Sequence, residues 1–424
     1  MHPFPAIIIS CINLVGGLAV YIKRHIEATV LKAASQFSSV LLTGARQVGK
    51  TTLLRHVFPA IPYITLDDPQ VLQAAVEQSG TFFRINPPPV LVDEVQYAPN
   101  LFPYVKMQVD NTHDKGMFLM TGSQQFSLMR NVSESLAGRV SILNMLGLST
   151  RELHGDETMT PFVPTEDFLL ARRMAAKPMA YAKVWETIWR GSMPEMNASA
   201  MDWQMFYASY TKTYLERDVR ELAQVGDELK FLRFMTALAA QIGNLANKAA
   251  IANDVGVSQP TIDRWLSILC ASNIVYLLQP WHSNILKRAI KTPKVYFTDT
   301  GLAAYLTKWT SADVLESGAM AGAFFENYVV MEIIKSFLNA GQEAPVYFYR
   351  DKDQTEIDLI VRQGDTLYPI EIKKHADPSK RDIAAFTVLD RIPGMIRGAG
   401  GVVCMVEQLL PMSPMDFTVP VHYL

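Results

Sequence analysis

One run of eight residues, Gly44-Ala45-Arg46-Gln47-Val48-Gly49-Lys50-Thr51, constrains this chain more than any other feature. Its spacing is G-x-x-x-x-G-K-[ST]. The apolar residues 39–43 in front of it read as a buried strand, and Thr52-Leu53-Leu54-Arg55-His56 behind it begin a helix. Strand, glycine loop and helix in that order make a phosphate cradle. Glycine lets the backbone wrap an anion, and the helix N-terminus offers unpaired N–H groups and the positive end of its dipole. Residues 44–52 are therefore expected to bind ATP, with Lys50 reaching the β- and γ-phosphates and Thr51 ligating Mg²⁺.

The surroundings extend this expectation. Strand-like runs recur at residues 62–66, 90–92, 117–120 and 140–145, with helical segments between them. That alternation is the pattern of a parallel sheet covered on both faces. The third run ends in Asp93-Glu94, where Asp93 is expected to hold Mg²⁺ and Glu94 to orient and deprotonate the attacking water. Thr121 or Ser123, at the end of the fourth run, would sense the γ-phosphate or simply cap the strand. Arg139 reads as an arginine finger, within its own subunit or a neighbour's, or as a surface ion-pair residue.

The chain has 424 residues, too many for one ordinary core, and a formal net charge of −2. Binding to nucleic acid must then come from local patches. Cys11, Cys270 and Cys404 are scattered and odd in number, which fits a reducing compartment and a cytoplasmic location. Residues 4–22 are largely apolar but carry Pro5, Ser10, Asn13 and Gly16-Gly17. They read as a membrane anchor, a buried helix or, the preferred reading, an upstream extension outside the working protein; a membrane partner is not expected.

Residues 248–255, Gly256 and a second helix capped by Ser258 read as a helix-turn-helix. Ile262, Trp265, Leu266 and Leu269 form its inward stripe, leaving Gln259, Thr261 and Arg264 outward as DNA-reading residues. Lys287, Arg288, Lys291 and Lys294 follow between two candidate strands as a basic wing for phosphates. A winged module used for protein packing stays open, because Asp263 sits beside the reading face.

Further on, Asp358 is embedded in one apolar strand, and Glu371 and Lys373 lie two apart on the next. A spacing of two puts both on one face. Asp358 and Glu371, with Glu326 from a preceding helix, are candidate ligands for a divalent metal, and Lys373 a group to orient water or steady phosphorane charge. The alternative is the wet face of a strand.

Taken together, these residues resemble a widespread prokaryotic family of AAA+-type ATPases whose C-terminal part, a domain of unknown function, has a restriction-endonuclease-like, PD-(D/E)XK-type end. The likeness runs from about Tyr21 to the C-terminus. It also rests on Gly122-Ser123-Gln124-Gln125-Phe126, Leu136-Ala137-Gly138-Arg139-Val140 and Gly191-Ser192-Met193-Pro194-Glu195. Tyr214-Leu215-Glu216-Arg217-Asp218-Val219-Arg220 and Tyr296-Phe297-Thr298-Asp299-Thr300-Gly301-Leu302 complete it. The resemblance implies ATP binding and hydrolysis, and it carries the nuclease-like pattern onto Glu326, Asp358, Glu371 and Lys373. It supplies no biological task, and such a fold can persist without cutting anything.

The expected fold is α/β: an apolar extension (1–20), a parallel-sheet P-loop AAA+-type ATPase domain (21–160), a helical linker (161–227), a winged helix-turn-helix (228–317) and a small restriction-endonuclease-like α/β domain (318–424). The expected activity is Mg²⁺-dependent ATP hydrolysis coupled to DNA. The C-terminal domain then either cleaves phosphodiesters or serves only as part of a DNA- or protein-binding switch. A tethered ATPase is a third reading that depends on residues 4–22. A homo-oligomer would be required if Arg139 acts between subunits.

Overall fold

The computed structural model describes residues 21–123, 136–214, 228–282 and 292–424. The apolar extension, residues 124–126 and 215–220 of the quoted motifs, and Lys287, Arg288 and Lys291 lie outside the described residues.

The first unit is a five-stranded sheet: β1 (Ser39–Thr43), β2 (Tyr63–Thr65), β3 (Val90–Asp93), β4 (Phe118–Gly122) and β5 (Val140–Asn144), in the order β2-β3-β4-β1-β5. Every neighbouring pair is parallel. Alternation along the strands serves two cores: Val40 and Leu42 of β1 enter one, Leu41 the other. Helix α1 (Ile26–Gln36) adds Ile26, Val30, Ala33 and Ala34 to the first core, a stripe at helical spacing. Helix α2 (Lys50–Val57) follows the glycine loop, and α3 (Phe102–Thr112) packs on the second core through Phe102, Val105 and Val109. Parallel pairing brings the C-terminal ends of β1, β3 and β4 to one edge, where ligands of open α/β sheets bind. Gly44, Asp93-Glu94 and Ser123 stand there.

A short helix, α4 (Thr150–Leu153), leaves this sheet, and four helices follow between Glu166 and Tyr214. Asp299 ties them to later chain. Its carboxylate accepts hydrogen bonds from Ser192 N at 2.6 Å, Tyr207 OH at 2.8 Å and Leu302 N at 2.7 Å. Two of the quoted motifs thus meet at one buried, fully bonded acid, a packing role.

Helices α5 (Lys248–Val255) and α6 (Gln259–Ala271) flank a turn in which Gly256 closes α5, and Ser258 caps α6. Strand β6 (Val275–Leu278) pairs antiparallel with β7 (Lys294–Phe297). After α7 (Thr300–Leu306) comes α8 (Ala321–Asn339), buried along most of its length. Its apolar side chains share one continuous core with Val40 and Leu42 of the first sheet and with Ile370 and Ile372 of the last.

The C-terminal sheet contains β8 (Val346–Arg350), β9 (Glu356–Gln363), β10 (Thr366–Ile372), β11 (Ile396–Arg397), β12 (Gly400–Cys404), β13 (Leu410–Pro411) and β14 (Asp416–Pro420). Its main order is β13-β14-β12-β10-β9-β8, antiparallel from β8 to β10 and parallel from β10 through β12 to β14. No described helix is long and apolar enough to cross a membrane.

Candidate functional site

The glycine loop is shaped by its neighbours. Gly44 has φ +152°, and a Cβ there would stand 2.1 Å from Met145 O, so only glycine lets the loop leave β1 beside β5. Gly49, at φ +92°, turns the chain into α2. Lys50 is buried and donates to Gly44 O at 3.0 Å and Ala45 O at 2.8 Å, lying over its own loop. Arg46 reaches Tyr97 OH at 3.2 Å, and Thr52 is exposed on α2.

Behind the loop, Thr51 Oγ1 donates to Asp93 Oδ1 at 2.6 Å, and Thr121 Oγ1 donates to the same oxygen. Tyr63 OH donates to Asp93 Oδ2 at 3.0 Å. Burial, and then the charge of Asp93, raise the Tyr63 hydroxyl above its ordinary pKa and keep it a donor. Three neutral hydroxyls therefore hold one carboxylate. Glu94 has φ +56°, a left-handed conformation, and its amide donates to Thr121 Oγ1 at 3.0 Å. Its Oε2 accepts from Gln96 Nε2 and, at 3.3 Å, from Ser123 Oγ. Ser123 thus touches the expected base. Thr51 and Asp93 present hard oxygen donors together at a helix start, which fits Mg²⁺.

Arg24 braces this site from below. Its buried guanidinium pairs with Glu152 of α4 at 3.0 Å and donates to Val48 O at 2.9 Å and Leu146 O at 2.8 Å. Glu152 also closes a capping box with Ser149. Sequence reasoning passed over Tyr63, Gln96 and Arg24. The Ser149-x-x-Glu152 capping box was the readable signal for the last.

Arg139 stands elsewhere. Its carbonyl accepts from Ser39 N at 3.2 Å, which puts it at the N-terminal end of β1, while the phosphate loop leaves the C-terminal end. Its guanidinium pairs with Asp110 of α3. It does not join the nucleotide site of its own chain.

On α6, Gln259 and Arg264 are exposed and Thr261 half-buried, with its hydroxyl 2.9 Å from that of Ser258. Asp263 pairs with Lys248 at 2.6 Å. Lys294, expected on a basic wing, is instead buried. Its ammonium lies 3.1 Å from Glu326 Oε1 and 2.6 Å from Glu356 Oε1. A lysine opening an otherwise apolar strand, two residues before Tyr296, was the available signal.

The C-terminal acids do converge, but around ammonium groups. Tyr296 OH donates to Glu326 Oε1 at 2.6 Å. Lys373 Nζ lies 2.6 Å from Glu371 Oε1 and 3.8 Å from Asp358 Oδ2, and Asp358 Oδ2 accepts from Ile372 N at 2.9 Å. Burial, then the charge of Asp358, push the Glu326 carboxyl up to about 7 and the Glu371 carboxyl up to about 8, against the opposing lysines. Glu371 Oε2 is buried without a hydrogen-bond partner. These hard oxygens suit Mg²⁺ or Mn²⁺. Yet among the described residues no three His, Cys, Asp or Glu side chains are disposed to hold a metal as they stand.

Comparison with known proteins places three family profiles along the chain. A family profile described as "AAA domain" matches residues 36–154. Two profiles described as "Domain of unknown function", DUF8612 and DUF4143, match residues 181–313 and 321–424. Uncharacterized protein Rv2008c of Mycobacterium tuberculosis is 31% identical over 368 residues, covering 84% of this chain and 75% of that protein. Uncharacterized protein Mb2031c of Mycobacterium bovis matches with the same identity and coverage. Among solved structures, the Walker-type ATPase PABY2304 of Pyrococcus abyssi is similar at a TM-score of 0.39 and 13% identity, covering 66% of this chain and 94% of its own. The Thermotoga maritima RuvB Holliday junction branch migration motor is similar at 0.31 and 16%, covering 60% and 89%. The chain belongs to the family of these mycobacterial proteins, and its phosphate loop lies inside an AAA domain.

Proposed function

We propose that this chain is a Mg²⁺-dependent ATPase of the cytoplasm that acts on DNA through α5, α6 and the C-terminal sheet. The observation that carries the ATPase reading is the Thr51–Asp93 contact of 2.6 Å behind a glycine loop at the start of α2. Residues 44–52 bind the phosphates through backbone N–H groups. Lys50 exchanges its two loop carbonyls for phosphate oxygens. Thr51 and Asp93 would hold Mg²⁺, which would supply positive charge to offset that of the phosphates. Glu94 orients the attacking water and takes its proton, with Ser123 and Gln96 setting the carboxylate's direction. Arg139 lies at the other end of β1 from its own site, and its pairing with Asp110 favours the surface ion-pair reading; as an arginine finger it would have to act on a neighbouring copy.

Calorimetric titration with ATP and Mg²⁺ tests this reading. The unaltered chain binds, and Lys50→Ala weakens binding by about ten- to hundredfold, the worth of lost hydrogen bonds to a charged group. Equal affinity in the two would remove the loop from its role.

The DNA part rests on the exposed Gln259 and Arg264 and the half-buried Thr261, together with Lys287 and Arg288, read as a winged helix. Replacing Arg264 and Arg288 by Ala should weaken DNA binding and lower the salt slope by about 2, one per phosphate contact. An unchanged slope would favour protein packing. For the C-terminal domain, Glu326, Asp358, Glu371 and Lys373 support a nuclease-like reading with a divalent metal. The second reading, a switch with an inert C-terminal domain, is favoured by the lysines that already neutralise those acids.

A further inference from the structure

Arg24 holds the phosphate loop from its buried side. Its side chain is only 4% exposed, and each of its three guanidinium nitrogens donates. Nε reaches Glu152 at 3.0 Å, Nη1 reaches Val48 O at 2.9 Å, and Nη2 reaches Leu146 O at 2.8 Å and Gly147 O at 3.2 Å. One planar group therefore ties the glycine loop to the chain that leaves β5. The base of the arginine is fixed as well: Arg24 N donates to Glu27 Oε1 at 2.8 Å, and His25 N to Glu152 Oε1 at 2.7 Å. Just before it, the ring of Tyr21 stacks on His56 of α2, with centroids 3.8 Å apart.

Val48 O matters because of the peptide unit it belongs to. The N–H of that unit is the N–H of Gly49, and a planar trans peptide points its N–H away from its C=O. Gly49 is the N-cap of α2, so its N–H has no intrahelical partner and is one that an anion would take. Its φ of +92° is a conformation that glycine adopts freely, which leaves the 48–49 peptide easy to rotate. A rigid guanidinium fork on the carbonyl removes that freedom and aims the N–H away from the protein interior. A carbonyl that accepts from a cation also polarises its own amide and makes the N–H a stronger donor.

We propose that Arg24 is a positioning residue for phosphate binding, which sets the direction and donor strength of the Gly49 N–H through the Val48 carbonyl. This rests on reading residues 44–52 as the phosphate cradle. A brace that only fastened α1 to the sheet would cost stability and leave the contact with phosphate as it was.

The test is calorimetric titration of the full chain with ATP and with inorganic tripolyphosphate, each with Mg²⁺. Arg24→Lys keeps a positive charge beside Glu152 but loses the fork that spans Val48 O and Leu146 O. It should weaken both ligands by the same factor, about tenfold, as expected for one misdirected hydrogen bond to a charged group. In the ATPase assay KM should rise by that factor and kcat change by less than about threefold, the pattern of lost uniform binding. Unchanged affinity for both ligands overturns the role of Arg24 and leaves the cradle standing. Weaker ATP binding with unchanged tripolyphosphate binding also overturns it, because the effect would then lie away from the phosphates. If the unaltered chain binds neither ligand, the cradle itself falls. Should Arg24→Lys show no cooperative thermal transition, the double variant Arg24→Met with Glu152→Met is read in its place. It leaves no buried charge unpaired, a replacement that proteins commonly tolerate, and the same outcomes decide.

Discussion

The two acidic sites of this chain hold their carboxylates in opposite ways. Asp93 is held by neutral donors, the hydroxyls of Thr51, Thr121 and Tyr63. Glu326 and Glu371 are paired with the ammonium groups of Lys294 and Lys373, and Glu326 also accepts from the Tyr296 hydroxyl. A hydroxyl orients a carboxylate and leaves its charge in place. An ammonium offsets that charge directly. The first site fixes its carboxylate by orientation, the second by charge pairing.

The contrast can be attacked with one kind of substitution at both places. Glu94→Gln should leave ATP binding intact and lower turnover by about 10²–10⁴, the usual contribution of a positioned base. A steady-state ATPase assay checks this, and full turnover would take Glu94 out of that role. Its cost in stability should be slight, because the amide can still accept from Gln96 and Ser123. Glu326→Gln should do the reverse. It removes one of two carboxylates from a buried lysine and should destabilise the chain by about 1–3 kcal/mol while ATP turnover stays unchanged. Urea denaturation measures the first and the ATPase assay the second; a fall in turnover would mean that the two sites are not separable.

A finer cut falls within the first site. Thr121→Val withdraws a donor from Asp93 and an acceptor from the Glu94 amide, both beside a fully buried side chain. It should cost about 1–2 kcal/mol and raise the Mg²⁺ concentration needed for half-maximal ATP hydrolysis. Tyr63→Phe removes only one bond from a partly exposed residue and should cost about 0.5–1 kcal/mol, with a smaller shift of the same Mg²⁺ midpoint. If Tyr63→Phe changed the midpoint more than Thr121→Val, the buried hydroxyl would not be the chief organiser of Asp93.

Much of the first site was legible because its parts are local. The glycine loop, the strand before it and the helix after it are contiguous, and apolar runs marked β1 and β3 through patterns that need no tertiary information. The helix pair was readable for the same reason: Gly256 and Ser258 are local stop and start signals. Arg139 shows the opposite case. Its surrounding motif was visible, but which end of the sheet it occupies depends on how β5 is placed beside β1.

The order of charge-bearing residues along the chain determined which chemistry is available: a phosphate loop, an acid pair behind a strand, and carboxylates interleaved with lysine in the last domain. Periodicity and turn residues determined the elements that carry them. Only the tertiary structure decided which charge meets which. Lys294 lies 32 residues before Glu326 and 62 before Glu356, distances over which no sequence pattern specifies a contact. Packing β7 beside α8 creates that contact, and the low-polarity interior makes pairing there far more consequential than at a solvated surface.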